Sequence, residues 1–181
     1  SQIAARMGTI TGQLKIFARK STTSLTSVSI PTAISNALFL VERRLQVENV
    51  RFTLQLPPED IFAMCESNRL EQVLVNLYAN ALDAMNGSDV RSLRVSVEST
   101  PGHVLIHVAD TGPGLSTEVY EHLFEPFFTT KPQGLGLGLG LAISEQITRQ
   151  FGGVLRAENA PGGGAIFTIE LQIATQEEKH V

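Results

Sequence analysis

Gly134-Leu-Gly-Leu-Gly-Leu-Gly-Leu-Ala-Ile143 decides how the rest of this chain is read, because four glycines alternate with leucines and then run unbroken into helical periodicity. Leu139, Ile143, Ile147 and Phe151 recur every four residues, and Gly152-Gly153 supply a stop, so the run opens an amphipathic helix. Glycine lets backbone N–H groups approach an anion closely, and the unpaired N–H groups and dipole of a helix start favour negative charge there. That is the chemistry of a phosphate site. A flexible loop or tight helix–sheet packing uses the same composition, so partner motifs must separate these readings. Two phosphate signatures fail on spelling: there is no Gly-Lys-Ser/Thr ending of a P-loop, and the spacing Gly-x-Gly-x-x-Gly never occurs.

Working outward, the segment 68–85 is the strongest helix. Leu70, Val73, Leu74, Leu77, Ala81 and Met85 form a core stripe, while Gln72, Asn76, Asn80 and Asp83 fall on the opposite arc. Asn76 and Asn80 lie one turn apart, so their amides can project together into a site above the helix. An amide oxygen suits magnesium, which takes few protein ligands beside waters and phosphates. A second helix is expected from Pro31, with Ile34, Leu38, Val41 and Leu45 at helical spacing. Short strands are expected at 51–56, 61–65, 92–99, 103–110, 153–159 and 165–173. The strand 103–110 ends on Asp110-Thr-Gly-Pro-Gly114, a carboxylate followed at once by a glycine turn. A carboxylate only accepts hydrogen bonds, so it takes an amino group and rejects a carbonyl, which selects adenine over guanine. Residues 111–136 carry prolines, glycines and a phenylalanine cluster without a sustained period, which predicts a long functional loop with one helical turn near 116–123.

The chain has 181 residues, 43% of them hydrophobic, enough for one core and an appendage. A net charge of −4 argues against a nucleic-acid surface. The single cysteine, Cys65, excludes an internal disulfide and a cysteine-rich zinc site, and fits a reducing compartment. No stretch reaches the ~20 apolar residues of a membrane span, so a soluble, cytoplasmic piece without membrane contact is expected. Ile3, Met7, Ile10, Leu14 and Phe17 trace a heptad seam that wants a partner helix. A start inside that pattern predicts a piece of a longer protein, whose upstream part can be an inner-membrane sensor. The Ser/Thr-rich stretch that follows reads as a linker, and the tail from Thr175 as polar.

Taken in order, Asn76…Asn80, Asp110-x-Gly-x-Gly114, Phe124-Glu-Pro-Phe-Phe128, Gly136-Leu-Gly-Leu-Gly140 and Gly162-Gly-Gly-Ala-x-Phe167 resemble the N, G1, F, G2 and G3 boxes of the ATP-binding catalytic domain of sensor histidine kinases. The wider superfamily includes mismatch-repair ATPases and heat-shock chaperones. The spelling Glu-Pro-Phe-Phe-Thr-Thr-Lys131 before the glycine box is especially similar to nitrogen-regulation and C4-dicarboxylate sensor kinases. The resemblance implies a Bergerat-type two-layer α/β sandwich, a mixed sheet with helices on one face, preceded by a helical arm. Residues 1–20 would be the second helix of a dimerisation hairpin, 21–29 a linker, 30–175 the catalytic domain and 176–181 a tail.

By the same resemblance, Asn80 would hold magnesium against the triphosphate of ATP, and Asn76 would support the phosphates or their waters. Asp110 would bind the adenine amino group, with Gly112 and Gly114 lining the base. Residues 115–135 would form the ATP lid, anchored by Phe124, Phe127 and Phe128, which also touch the histidine-bearing hairpin. Lys131 would approach phosphate oxygens, and the backbone of Gly136, Leu137, Gly138, Leu139 and Gly140 would receive them, with Gly134 adding a flexible point. Related ATPases typically carry a water-activating glutamate where Asn76 stands, so hydrolysis is expected to be slow. The implied activity is transfer of the γ-phosphoryl group to a histidine of the same protein, and thence to a response regulator; a homodimer would form through the N-terminal helix. None of His103, His107, His122 and His180 stands in the family's acceptor setting, so no self-labelling is expected. Ala165 stands where many relatives carry Thr or Ser. Two alternatives remain open: a protein serine kinase of the superfamily, resembling the anti-sigma factor and mitochondrial dehydrogenase kinases, and a nucleotide-sensing module without transfer.

Overall fold

The computed structural model describes residues 24–132 and 136–174. The heptad arm, the first three residues of the expected linker (21–23), Gly134 and the tail from Thr175 lie outside the described residues. In chain order the elements are β1 (Thr26–Ser29), α1 (Ile30–Val47), β2 (Arg51–Gln55), β3 (Phe62–Cys65), α2 (Ser67–Ala84), β4 (Ser92–Thr100), β5 (His103–Ala109), α3 (Thr117–His122), α4 (Gly140–Gln150), β6 (Val154–Asn159) and β7 (Ala165–Gln172).

Five strands form one sheet in the order β2-β4-β5-β7-β6. β2 runs parallel to β4 and every other pairing is antiparallel, so the sheet is mixed. Period-two alternation sets its faces. Leu93, Val95 and Val97 of β4, Val104, Ile106 and Val108 of β5, and Phe167, Ile169 and Leu171 of β7 are buried. Of the alternate row, Arg94, Glu98 and His103 are exposed and Ser96, Leu105, His107 and Thr168 are partly so. The helices cover the apolar face: α2 packs between α1 and α4, α2 touches β4 and β5, and α4 touches β6 and β7. This is the expected two-layer α/β sandwich.

The core stripe of α2 behaves as its spacing predicts, with Leu70, Val73, Leu74, Leu77 and Met85 at 0–1% exposure. Helix α1 is started by Ser29, whose hydroxyl accepts from the Thr32 N–H, and by Pro31 in its first turn. Helix α4 stops where Gly152 turns to φ +74° and the N–H groups of Gly152 and Gly153 bond back to Arg149 O and Thr148 O. One boundary needs correction. Thr26–Ser29, expected inside a linker, pair antiparallel with β3, Thr26 opposite Cys65 and Ser29 opposite Phe62. A four-residue strand has too short a period to be read locally, and its partner lies 36 residues on; the folded unit therefore begins before residue 30.

Candidate nucleotide-binding site

At the carboxyl end of β5, Asp110 is 5% exposed. Its Oδ1 accepts from the Gly112 N–H at 2.8 Å and the Ala165 N–H at 3.4 Å. Its own N–H donates to Ala165 O at 3.0 Å. Both side-chain bonds fall on Oδ1, which leaves Oδ2 for an outside donor among the described residues. Burial pushes the carboxyl above its ordinary pKa, and the two backbone N–H groups offset this only in part.

Glycines make that geometry attainable. A Cβ at Gly112 would stand 2.9 Å from Asp110 Oδ1 and 3.0 Å from Ala84 O, so side chains are excluded where the turn crosses the end of α2. Gly114 adopts φ +81°, and a Cβ there would meet Asn159 Oδ1 at 2.7 Å. Asn159 closes the loop, accepting from the Leu115 N–H at 2.7 Å and donating through Nδ2 to Leu115 O at 2.9 Å. Thr111 ties the other side: its hydroxyl donates to Val90 O and accepts from the Ser92 N–H, each at 2.9 Å. Gly164 is the tightest position, with φ +90° and a hypothetical Cβ only 1.9 Å from Asp110 O. Thr111 and Asn159 carry no site reading in the sequence, since each acts on a residue 19 or more positions away; Gly164 is read there only as part of the last glycine box.

The second group of candidate residues lines a cavity of about 250 Å³ that does not include Asp110: Asn80, Phe128, Lys131, Gly136, Gly138 and Gly140 among others. Helix α4 starts at its edge without a side-chain cap and without an acid in the first turn. Its first N–H groups therefore lack a protein acceptor of the usual kind and suit an anion. Gly138 has φ +67°, and a Cβ would collide with Phe128 O at 2.5 Å and Phe127 C at 2.6 Å. By contrast a Cβ at Gly140 would find nothing nearer than Asn76 Cγ at 3.9 Å. The two glycines thus serve differently: Gly138 lets the glycine run cross the phenylalanine segment, and Gly140 keeps the cavity open. Leu139 sends its side chain into the core at 4% exposure, and Leu137 is 41% exposed.

Asn80 lines this cavity, whereas Asn76, one turn earlier on α2, is held against the start of α4. Asn76 Nδ2 donates to Gly140 O and Ser144 Oγ, each at 3.3 Å. Because a carbonyl can only accept, this contact fixes the amide's orientation and presents Oδ1 away from α4. Asn80 Oδ1 accepts from the Lys131 ammonium at 3.3 Å, so this oxygen already faces a cation. Lys131 also pairs with Asp83, whose other oxygen takes Arg44 Nη2 at 2.5 Å. Burial alone would raise the Asp83 pKa, but the hydrogen bonds and charges of Lys131 and Arg44 outweigh it and hold the carboxyl below its ordinary value.

α3 and the phenylalanine segment cover one side of the cavity, contributing Val119, Leu123 and Phe128 to its lining. Ser116 caps α3 by accepting from the Val119 N–H at 3.3 Å. Phe124 packs against the core, and Phe128 lies 5.4 Å from the His122 ring. Phe127 is 67% exposed in a left-handed conformation, φ +68°, held by its N–H donating to Gly138 O at 2.9 Å. Two of the three phenylalanines therefore face the domain and one faces outward.

The residues present fit ATP and a divalent cation by their donor chemistry. An acceptor-only carboxylate stands at one end; an uncapped helix start, a lysine and a cation-facing amide oxygen stand at the other.

Comparison with known proteins places this arrangement. The family model described as histidine kinase-, DNA gyrase B-, and HSP90-like ATPase matches residues 65–175. The C4-dicarboxylate transport sensor protein DctB of Rhizobium meliloti (strain 1021) is 38% identical over 174 residues, covering 96% of this chain and 28% of that protein. The chain thus spans little more than a quarter of that relative's length. The solved catalytic domain of histidine kinase ThkA superposes with a TM-score of 0.73 at 31% identity, covering 82% of this chain and 95% of that one. Histidine kinase ThkA in complex with response regulator protein TrrA gives a TM-score of 0.77 at 26% identity, covering 98% of this chain and 50% of that one. From the match over residues 65–175 and the site it encloses, the chain belongs to the family of histidine kinase-, DNA gyrase B- and HSP90-like ATPases.

Proposed function

We propose that this domain binds Mg-ATP and donates the γ-phosphoryl group to a histidine on a helical hairpin of the same protein, in a two-component sensor kinase. The observation that carries the choice of reaction is Asn76: the position beside the α4 start holds an amide, pinned to Gly140 O and Ser144 Oγ, instead of a carboxylate. An amide cannot take a proton from water, so bound ATP is kept for a better nucleophile. Asp110 Oδ2 would accept the adenine amino group, and Gly112 and Gly114 would leave room for the base. The N–H groups from Gly136 to the first turn of α4, with Lys131, would hold the triphosphate, and Asn80 Oδ1 would take the metal. The bound metal supplies charge neutralisation on the phosphate oxygens. In the transfer a histidine nitrogen forms the N–P bond, the bond between the γ-phosphorus and the β–γ bridging oxygen breaks, and ADP leaves; the domain contributes position and charge.

The resemblance to DctB and to the ThkA catalytic domain supports this reading, and the ThkA–TrrA complex supports a response-regulator aspartate as the next acceptor. The same reading assigns residues 1–20 to the hairpin and to a homodimer contact, and puts the domain on the cytoplasmic side, where ATP is. No helix among the described residues is long and apolar enough to cross a membrane.

The test supplies the histidine-bearing hairpin in trans with labelled ATP. Acid-labile, alkali-stable phosphate on the hairpin is the expected product. Acid-stable phosphate on serine would assign the protein serine kinase reading, and nucleotide binding without transfer would assign a sensing module. A companion variant, Asn76→Glu, is expected to raise ATP hydrolysis; an unchanged rate at unchanged affinity counts against the role given to position 76.

A further inference from the structure

Asp83 is the charged residue of the site that the proposed reaction leaves without work. It lies three residues past Asn80, so both side chains rise from the same face of α2. Its two oxygens are divided. Oδ1 takes Arg44 Nη2 at 2.5 Å, and Arg44 is itself fixed within α1 by Glu48 at 2.6 Å, so this half of the arrangement belongs to the scaffold. Oδ2 takes the Lys131 ammonium, which comes from the segment leading into the glycine run and also reaches Asn80 Oδ1 at 3.3 Å. One movable cation therefore covers Asp83 Oδ2 and lies against the amide oxygen assigned to the metal.

We propose that Asp83 is the standing counter-ion of the cation position at Asn80: it holds Lys131 there in the absence of nucleotide and, when Lys131 turns to the phosphates, accepts hydrogen bonds from the water shell of the bound magnesium. The inference rests on the proposed reading of the site as a Mg-ATP site. A carboxylate this close to a triphosphate repels it unless a cation stands between. Magnesium arrives with several of its waters retained, those waters donate hydrogen bonds, and an outer carboxylate is the acceptor that orients them. The Lys131–Asp83 pair suits exchange because both side chains are about one-third exposed, 34% and 32%, so parting them strands no buried charge. ATP without metal would have to draw Lys131 away while facing the Asp83 Oδ2 that this leaves without a cation. Asp83 thus makes nucleotide affinity depend on magnesium, as a positioning residue that acts through water and through Lys131.

The test titrates a non-hydrolysable ATP analogue into the protein with excess magnesium and again with EDTA, and reads the ratio of the two dissociation constants. In Asp83→Asn the ratio is expected to fall about tenfold, the lower end of the loss when an outer-shell partner of a metal is removed. Tighter metal-free binding should supply part of that fall. Lys131→Gln, at a partly exposed position, should move the ratio the other way by weakening metal-free binding more than metal-bound binding. Both constants are read on folded molecules, so partial unfolding alters the stoichiometry and not the ratio. A ratio unchanged in both variants, or affinities that fall in parallel with and without magnesium, would overturn the role of Asp83 and leave the ATP site standing. Failure of the unaltered protein to bind the analogue in either condition would overturn the site itself.

Discussion

The two ends of the site are built from different materials. Around Asp110 the geometry is made by backbone: Gly112, Gly114 and Gly164 exclude any side chain, and the carboxylate is gripped by N–H groups from two segments. Around Asn80 it is made by long charged side chains, Lys131 and Arg44, meeting one carboxylate at the half-exposed surface. Backbone hydrogen bonds inside a packed core cannot be exchanged without unfolding part of the sheet, whereas an ion pair at a third exposure can be traded for another cation. On the proposed reading, the base end is therefore preformed, and the phosphate end is held ready to change partners. Substitutions at the first should damage the fold or the recognition of adenine; substitutions at the second should alter how nucleotide and metal enter.

Gly164→Ala should break the base end most severely. The new methyl would overlap Asp110 O at 1.9 Å in a backbone conformation at φ +90°. The expected loss is about 3 kcal/mol of folding stability, the sum of a left-handed penalty and a backbone clash. Chemical denaturation measures it, and a loss under about 1 kcal/mol would mean that the β7 start is free to shift.

Asp110→Asn keeps an oxygen for the Gly112 and Ala165 N–H groups but turns an amide NH₂ toward the base. ATP affinity should fall by about 2 kcal/mol, roughly thirtyfold, the value of a hydrogen bond to a charged acceptor, while GTP is affected less because its carbonyl can accept. Calorimetric titration with both nucleotides checks this. Equal losses for the two would place the base elsewhere. Folding stability should be kept, since the variant no longer buries a charge.

At the phosphate end, Gly138→Ala and Gly140→Ala should part company. The first forces the Phe127–Phe128 backbone to move and should loosen the cover by about 1–2 kcal/mol, visible as faster proteolysis near residue 127. The second meets only Asn76 and should leave the fold intact while weakening nucleotide binding. Equal behaviour would return the whole run to a packing role.

What was legible from residues alone follows the range of the interaction. The α2 stripe, the paired asparagines and the glycine-opened α4 are local patterns, repeated over several turns, and the structure keeps their register. Asp110 was legible because a carboxylate at a strand end followed by two glycines is a local departure from the apolar run. The contacts that finish the site are not local: Asp83 meets Arg44 across 39 positions and Lys131 across 48, and Asn159 reaches Leu115 across 44. Asp83 stood on the polar arc of α2 with nothing in its neighbourhood to distinguish it from a solvated acid. Thr26–Ser29 read as linker for the same reason, since their strand character exists only beside β3. Spacing can locate a functional face, but the partners that set its charge come from the fold.

Acid titration gives the smallest effect and the most direct contrast between the ends, because their two aspartates are shifted in opposite directions. Asp83 is held below the ordinary aspartate value of about 3.9, so its contribution to stability is complete above that value and is lost as pH falls through its lowered pKa. Asp110 is held above it, so the folded state retains a proton that the unfolded chain has lost; its contribution declines as pH rises from about 3.9 to the raised pKa and is flat thereafter. Denaturation midpoints followed across this range should show Asp83→Asn flattening the acid side of the profile and Asp110→Asn flattening the decline above it. ATP affinity should follow Asp110 alone, weakening as pH falls through the raised pKa, since protonation turns Oδ2 from a charged acceptor into a hydroxyl, a weaker acceptor. If Asp83→Asn moved that binding midpoint as well, the two ends would be electrostatically coupled, and the division between a fixed base end and an exchangeable phosphate end would have to be redrawn.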